Sequence, residues 1–115
     1  MNFKKNHPFD KRLEESIKIK SKYSNRIPII VEKDRNCKNL PDIDKSKYLV
    51  PIDLTFGQFV YVIRRRLKIT PEKSIFLFCK NILPPTSITI KEFSEDKTDE
   101  DGFIYITYSG ENTFG

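Results

Sequence analysis

Few side chains in this sequence could carry out chemistry, and their spacing argues against catalysis. The chain holds two cysteines, Cys37 and Cys79, and one histidine, His7. The two thiols lie far apart with no close partner of ligand type, so no metal site is expected. Cys79 ends the apolar run SIFLFC, where burial raises a thiol's pKa and makes it a poor nucleophile. Cys37 sits in a basic loop with no base beside it. His7 precedes Pro8 near the N-terminus and has no obvious acidic or thiol partner for general-base work. The four glycines build no phosphate loop, and neither G-x-S-x-G nor H-E-x-x-H occurs. The expectation is a protein that is not an enzyme, with no catalytic residue and no cofactor.

Two other features have chemical potential. The first is the C-terminus, where a strand ending at Tyr108 gives way to a tail too poor in apolar residues to pack, closing in Gly115. A terminal glycine presents its carboxylate without a Cβ, which suits a backbone that must thread a narrow cleft and be joined to an amine. Glycine is also common and a chain must end somewhere, so from Gly115 alone an ordinary end is the better reading. The second is the basic set Arg26, Lys45, Lys47, Arg64, Arg65 and Arg66, which could serve an acidic peptide, an anionic lipid or RNA. Nucleic-acid modules usually add exposed aromatics or a groove-reading helix, whereas the aromatics here fall mostly at core-spaced positions, so no nucleic acid is expected. Lys45 and Lys47 are two apart on a strand approach and share a side with Leu49. Two cations beside an apolar side chain at a pairing edge suit an acidic, apolar peptide added as an extra strand.

The elements that must position these groups follow from hydrophobic spacing. With 115 residues the chain is one domain's worth, and its net charge of +5 is a bias rather than a polycationic tail, since 16 acidic residues remain. Residues 1–6 are weakly helical. Pro8 starts a helix in which Phe9, Leu13 and Ile17 form an apolar stripe to about Tyr23. Ile19 is rotated about 200° from Ile17 at roughly 100° per residue, onto a second face beside Glu15. Residues 26–32 (RIPIIVE) predict a strand covered on both faces, with Pro28 at an edge or strand start. Residues 48–52 predict a short edge strand carrying Pro51. Thr55 caps a helix to Leu67 whose buried stripe is Phe56, Phe59, Val60, Ile63 and Leu67. A buried strand at 74–79, a short helix at 88–95 with Ile90 and Phe93 inward, and a last strand at 103–108 complete the chain. The absence of a signal-peptide pattern and of a bilayer-spanning apolar run makes an intracellular soluble protein with reduced cysteines the expectation.

Without its first two helices this order is ββαβ(α)β, which lets the first and last strands lie parallel at the sheet centre under the central helix. The expected class is α+β: a ubiquitin-like β-grasp with a four-stranded mixed sheet and two additional N-terminal helices. We expect an N-terminal helical subdomain at 1–24, the β-grasp at 25–109 and a flexible conjugation tail at 110–115.

HPF at 7–9, RIPIIVEK at 26–33, DKSKYLVPIDLTFGQFVYVIRRR at 44–66, LPPTS at 83–87 and DEDGFIYITYSGENTFG at 99–115 resemble the autophagy ubiquitin-like modifiers, the family of the GABA-receptor-associated proteins and their yeast counterpart. The resemblance spans essentially the whole chain, and the tail YSGENTFG is especially similar to the fungal form. It implies conjugation of Gly115 to phosphatidylethanolamine by ubiquitin-activating-like and conjugating enzymes, with a cysteine protease for delipidation. It also implies a place in the cytoplasm and, when lipidated, on autophagosome and vacuolar or lysosomal membranes. Receptors with aromatic-x-x-aliphatic motifs would dock in two pockets. Glu15, Ile19, Pro28, Lys47, Leu49 and Phe103 would take the aromatic residue. Tyr48, Val50, Pro51, Leu54, Phe59, Val62 and Ile63 would take the aliphatic one, and Arg26, Lys45 and Arg66 would meet acidic flanks. Relatives often carry residues beyond the glycine that a protease removes, whereas this sequence ends at Gly115. Leu13 and Ile17 stand where relatives more often have charged residues. The alternative function is an unconjugated ubiquitin-like adapter that binds peptides in intracellular trafficking.

Overall fold

The β-branched runs RIPIIVEK and IYITYS form the middle of the sheet. The computed structural model of the chain describes residues 2–112, so Gly115 and the end of the expected tail lie outside the described residues. Among the described residues there are four strands, β1 (Arg26–Lys33), β2 (Lys47–Pro51), β3 (Phe76–Phe78) and β4 (Ile104–Ser109), in the order β2-β1-β4-β3. β1 and β4 run parallel from Ile29↔Ile104 to Lys33↔Tyr108, while β2 and β3 pair antiparallel on either side. This is the mixed sheet and β-grasp order expected from the sequence. β3 is shorter than the expected run because β4 pairs with it only through Thr107, Tyr108 and Ser109.

Both strand prolines fit the ladder for a geometric reason. Val31 N donates to Ser46 O and Ile52 N to Asn25 O, so the odd-numbered residues of β1 exchange hydrogen bonds with β2. Pro28 therefore lies at a non-bonded pair with its nitrogen turned toward β4, whose pairing begins one residue later at Ile29. Pro51 turns its nitrogen to the open edge of the sheet. Neither removes a ladder bond.

Helix α3 (Phe56–Leu67) crosses one face, as its sequence requires. Thr55 and Gln58 form a reciprocal capping box at its start, and Lys68 closes it in the left-handed conformation. Phe56, Phe59, Ile63 and Leu67 are buried against Ile29, Val31, Tyr48, Val50, Ile104 and Ile106. Helix α4 (Ile90–Lys97), capped by Thr89, adds Ile90 and Phe93 to the same core.

The opposite face carries α1 (Phe3–Asn6) and α2 (Phe9–Lys22). Phe3 packs with Ile30 and Phe103, and Ile19 and Tyr105 lean on them. The periodicity of α2 left open whether the Phe9, Leu13, Ile17 stripe is core or exposed, and the side that meets the sheet is not that stripe. Phe9 and Ile17 face solvent and Leu13 is half-buried. The helix is held instead by Arg12, Glu15, Ser16 and Ile19, three of them polar. Ser16 Oγ donates to the Asp101 carbonyl, and Arg12 Nη1 to the buried Asp101 carboxylate at 2.5 Å. Periodicity identifies an apolar side of a helix, and here the turn before β4 brings the buried Asp101 beneath the polar side of α2, which is the side the helix turns inward.

Candidate functional site

β2 is one of the two edge strands of the sheet, and its main chain faces two ways. Tyr48 and Val50 direct their backbone groups at β1, which leaves those of Lys47 and Leu49, and the Pro51 carbonyl, pointing outward. Arg26 Nη1 reaches round to donate to the Leu49 carbonyl at 3.0 Å. An outward row of donors and acceptors is what an added strand pairs with.

Cross-strand partners fix which face each side chain of β2 occupies. Lys47 and Leu49 stand opposite Ile30 and Pro28 and so share their face, under α2. Glu15 of α2 forms an ion pair with Lys47, whose Nζ also lies 5.7 Å from the Phe3 ring centroid. Ile19 closes the same face against Ile30 and Phe103. The six residues expected at the aromatic pocket are thus gathered on one side of β2. Pro28 and Phe103 are buried and form the floor, whereas Glu15, Ile19, Lys47 and Leu49 are partly open to solvent.

The expected aliphatic set lies on the other face. Tyr48 and Val50 oppose Ile29 and Ile27 beneath α3. Val50, Phe59 and Ile63 belong to the sealed core, so only Pro51, Leu54 and Val62 of this set are substantially accessible. The Tyr48 hydroxyl is buried with no hydrogen-bond partner among the described residues. Burial, helped by the nearby Asp44 charge and opposed by Arg66, pushes its pKa up to about 12. The sequence gives no sign of that orphaned hydroxyl, because its burial depends on how α3 and the 34–46 loop close over β2.

Cations frame both faces. Lys45 Nζ sits 5.0 Å from the Tyr48 ring centroid, and Arg66 Nε donates to Asp44 Oδ1 at 2.8 Å. The Arg66 bond holds the Asp44 carboxyl below its ordinary pKa. Of the three residues expected to meet acidic flanks, Arg26 and Lys45 form no carboxylate pair among the described residues, while Arg66 would have to exchange Asp44 for a ligand's acid.

Sequence reasoning also missed the polar joint beneath α2. Asp101 accepts from Arg12, the Tyr105 hydroxyl and the Phe103 amide. The Tyr105 pKa is raised by burial and by this bond to Asp101, with Arg12 opposing. Gly102 permits the joint to close: its φ is +88°, and a Cβ there would stand 2.8 Å from Ser16 Cβ. The signal available in sequence is the DEDG turn at 99–102, which reads as acidic and turn-forming but does not say that one acid is buried.

Among the described residues no group of three or more His, Cys, Asp or Glu could hold a metal ion. Burial raises the Cys79 pKa, as expected for an inert thiol. No helix among the described residues is long and apolar enough to cross a membrane.

Comparison with known proteins gives a consistent picture. The family model described as "Autophagy protein Atg8 ubiquitin like" matches residues 11–115. Autophagy-related protein 8A of Oryza sativa subsp. indica is 59% identical over 114 residues, covering 99% of this chain and 95% of the relative. Autophagy-related protein 8 of Neurospora crassa is 58% identical, covering 98% of this chain and 93% of the relative. A solved structure titled as Plasmodium falciparum Atg8 in complex with a Plasmodium falciparum Atg3 peptide superposes with a TM-score of 0.89 at 36% identity, covering 96% of this chain and 97% of that one.

Proposed function

The chain belongs to the Atg8 family of ubiquitin-like autophagy proteins, and from that premise we propose that it is joined through Gly115 to phosphatidylethanolamine and recruits receptors along β2. The modifier has no catalysis of its own in this reading. An activating-like enzyme spends a nucleoside triphosphate to turn the Gly115 carboxylate into a thioester, the thiolate of the conjugating enzyme leaves as the lipid amine attacks that carbonyl to form an amide, and a cysteine protease hydrolyses the amide. The protein then moves from cytoplasm to autophagosomal and vacuolar or lysosomal membranes. Residues 1–24 act as a helical cover on the β-grasp unit of 25–109, and 110–115 as the conjugation tail.

The observation that carries the docking half of this reading is the free β2 edge flanked by two different apolar surfaces. A peptide added as a strand pairs with the outward backbone of Lys47 and Leu49. Strand alternation then sends its aromatic residue and the aliphatic residue three positions on toward opposite faces. The aromatic residue meets Glu15, Ile19, Pro28, Lys47, Leu49 and Phe103. The aliphatic one meets Pro51, Leu54 and Val62 over the floor formed by Tyr48, Val50, Phe59 and Ile63. Arg26, Lys45 and Arg66 favour acidic residues beside the motif. The complex of Plasmodium falciparum Atg8 with an Atg3 peptide supports a peptide-binding role for the same fold.

Two measurements test the two halves separately. Titration of an aromatic-x-x-Leu peptide against the Lys47→Ala, Leu49→Ala double variant should show at least a tenfold weaker Kd; an unchanged titration removes β2 from the docking site. Intact mass spectrometry of membrane fractions from starved cells should show one phosphatidylethanolamine added to the wild type and none to Gly115→Ala. Only free carboxylate in cells that are forming autophagosomes would leave an unconjugated peptide adapter as the function.

A further inference from the structure

The chain leaves the sheet toward Gly115 through a seat built by the loop after β1. Ser109 is still paired with Phe76, and Gly110 is the first residue beyond β4. Three contacts tie residues 34–41 to this exit. The Asp34 amide donates to the Tyr108 carbonyl at 2.9 Å, the Tyr108 hydroxyl donates to the Pro41 carbonyl at 2.7 Å, and the Asn39 side-chain amide lies against Gly110. A Cβ at Gly110 would stand 2.5 Å from Asn39 Nδ2 and 2.7 Å from its Cγ, so only glycine admits that approach. On the far side of Gly110 the Ser109 hydroxyl accepts from the Glu111 amide at 3.3 Å.

Asn39 is itself held in place. The buried Cys37 thiol donates to its Oδ1 at 3.5 Å, and Lys73 Nζ donates to its carbonyl at 3.2 Å. The two contacts at Tyr108 serve a fully buried core residue. The third does not, because Asn39 is exposed and belongs to no part of the core, yet it falls on the first residue of the tail. Gly115 lies five residues beyond Gly110, a span of at most about 18 Å at roughly 3.3–3.6 Å per residue. The direction given to the chain at Gly110 therefore limits where the carboxylate can be presented. We propose that Asn39 is a positioning residue for conjugation: by laying its amide on Gly110 it fixes the direction in which the tail enters the cleft of the activating-like enzyme, a role that rests on the conjugation of Gly115 proposed above. Asn39 touches no reacting atom. Its loss removes pre-organisation of the tail and leaves the chemistry at Gly115 as it was, which raises KM for the modifier without changing kcat.

Initial rates of thioester formation between the full chain and the activating-like enzyme, measured across modifier concentrations, test this role. Asn39→Ala should raise KM about three- to tenfold at unchanged kcat. Its thermal melt and its titration with an aromatic-x-x-Leu peptide should match the wild type. The Glu111 amide should become more mobile in that variant, read from its heteronuclear NOE. Gly110→Ala should raise KM in the same way, because its Cβ drives the Asn39 amide aside. The double variant should be no worse than either single one, as two changes to one contact require. A wild type that forms no thioester overturns conjugation and this role together. Normal charging of the wild type with an unchanged KM for Asn39→Ala overturns the role alone, as does a loss carried entirely by kcat or by a lowered melt. Additive losses in the double variant would mean that Gly110 acts without Asn39, and they too overturn it.

Discussion

Helices α2 and α3 lie on opposite faces of one sheet and are held there by different physics. α3 buries Phe56, Phe59, Ile63 and Leu67 against an apolar face, an attachment that is non-directional and grows with area. α2 buries only Ser16 fully and depends on Asp101, Arg12 and Tyr105 in fixed directions. The first arrangement is inseparable from global folding. The second can be undone at a few atoms, leaving the sheet and α3 intact, which makes α2 the part of the molecule whose docking is separable.

The largest expected effect comes from the apolar side. Phe59→Ala removes a ring that is 1% exposed and stacks edge-on to Tyr48 at 6.0 Å between centroids. The expected loss is about 3–5 kcal/mol, read as a fall in the urea midpoint with one transition for the whole chain. A smaller, local loss of the α2 amides alone would show that α3 is no more cooperative with the sheet than α2.

The polar joint should give the next largest effect, and a different kind. Asp101→Ala strands the buried Phe103 amide, a cost of about 1–3 kcal/mol, and removes the acceptor of Arg12 and Tyr105 as well. Gly102→Ala attacks the same joint from outside, by forcing a Cβ at positive φ against Ser16. Hydrogen exchange should accelerate across α2 in both variants while β1, β4 and α3 keep most of their protection. Uniform loss of protection would mean that the joint belongs to the global core.

This contrast also explains what could be read from the sequence. The α3 stripe and its Thr55 cap are legible because an apolar face has one low-energy destination and the capping box is local. The parallel pairing of β1 with β4 is legible from element order, since the crossover between them leaves few alternatives. The α2 stripe has the same spacing but faces solvent, because Asp101 is brought beneath that helix by a turn some 80 residues later. Periodicity reports that a face is apolar and is silent about what covers it. For the candidate site, the edge character of β2 followed from Pro51 and the positions of Lys45, Lys47 and Leu49. The Glu15–Lys47 pair and the orphaned Tyr48 hydroxyl did not follow, because each requires contacts made across elements distant in sequence.

A smaller effect is expected at the Glu15–Lys47 pair, whose side chains are 35% and 38% exposed. Solvent screening limits such pairs to about 0–1 kcal/mol, so Glu15→Gln should leave the urea midpoint almost unchanged. The variant should instead alter peptide affinity and its salt dependence, because it frees Lys47 for an acidic ligand. A clear drop in global stability without any change in binding would place the pair with the Asp101 joint rather than with the β2 edge.

The smallest effect separates α1 from both helices, through pH. Lys4 pairs with Asp99 at 2.9 Å and holds α1 near the 98–102 turn. Burial raises the Asp99 pKa, but the hydrogen bond from Lys4, the Asp101 amide and the Lys4 charge outweigh it, and the net shift is below the ordinary 3.8. A carboxyl whose folded pKa is depressed stabilises the fold above its unfolded pKa and loses that contribution as pH falls through the folded value. Docking of α1 should therefore loosen below about pH 4, seen as a shift of the Phe3 ring resonances before the sheet unfolds. Asp42 and Asp44 are depressed in the same direction by Lys33 and Arg66, so global acid lability alone cannot assign the change. Asp99→Asn should abolish the local Phe3 transition while leaving the later global one in place. Should the variant retain the local transition, the Phe3 amide bond to Glu32 at 2.6 Å becomes the contact that fastens α1, and Glu32→Ala is then the variant that must release it.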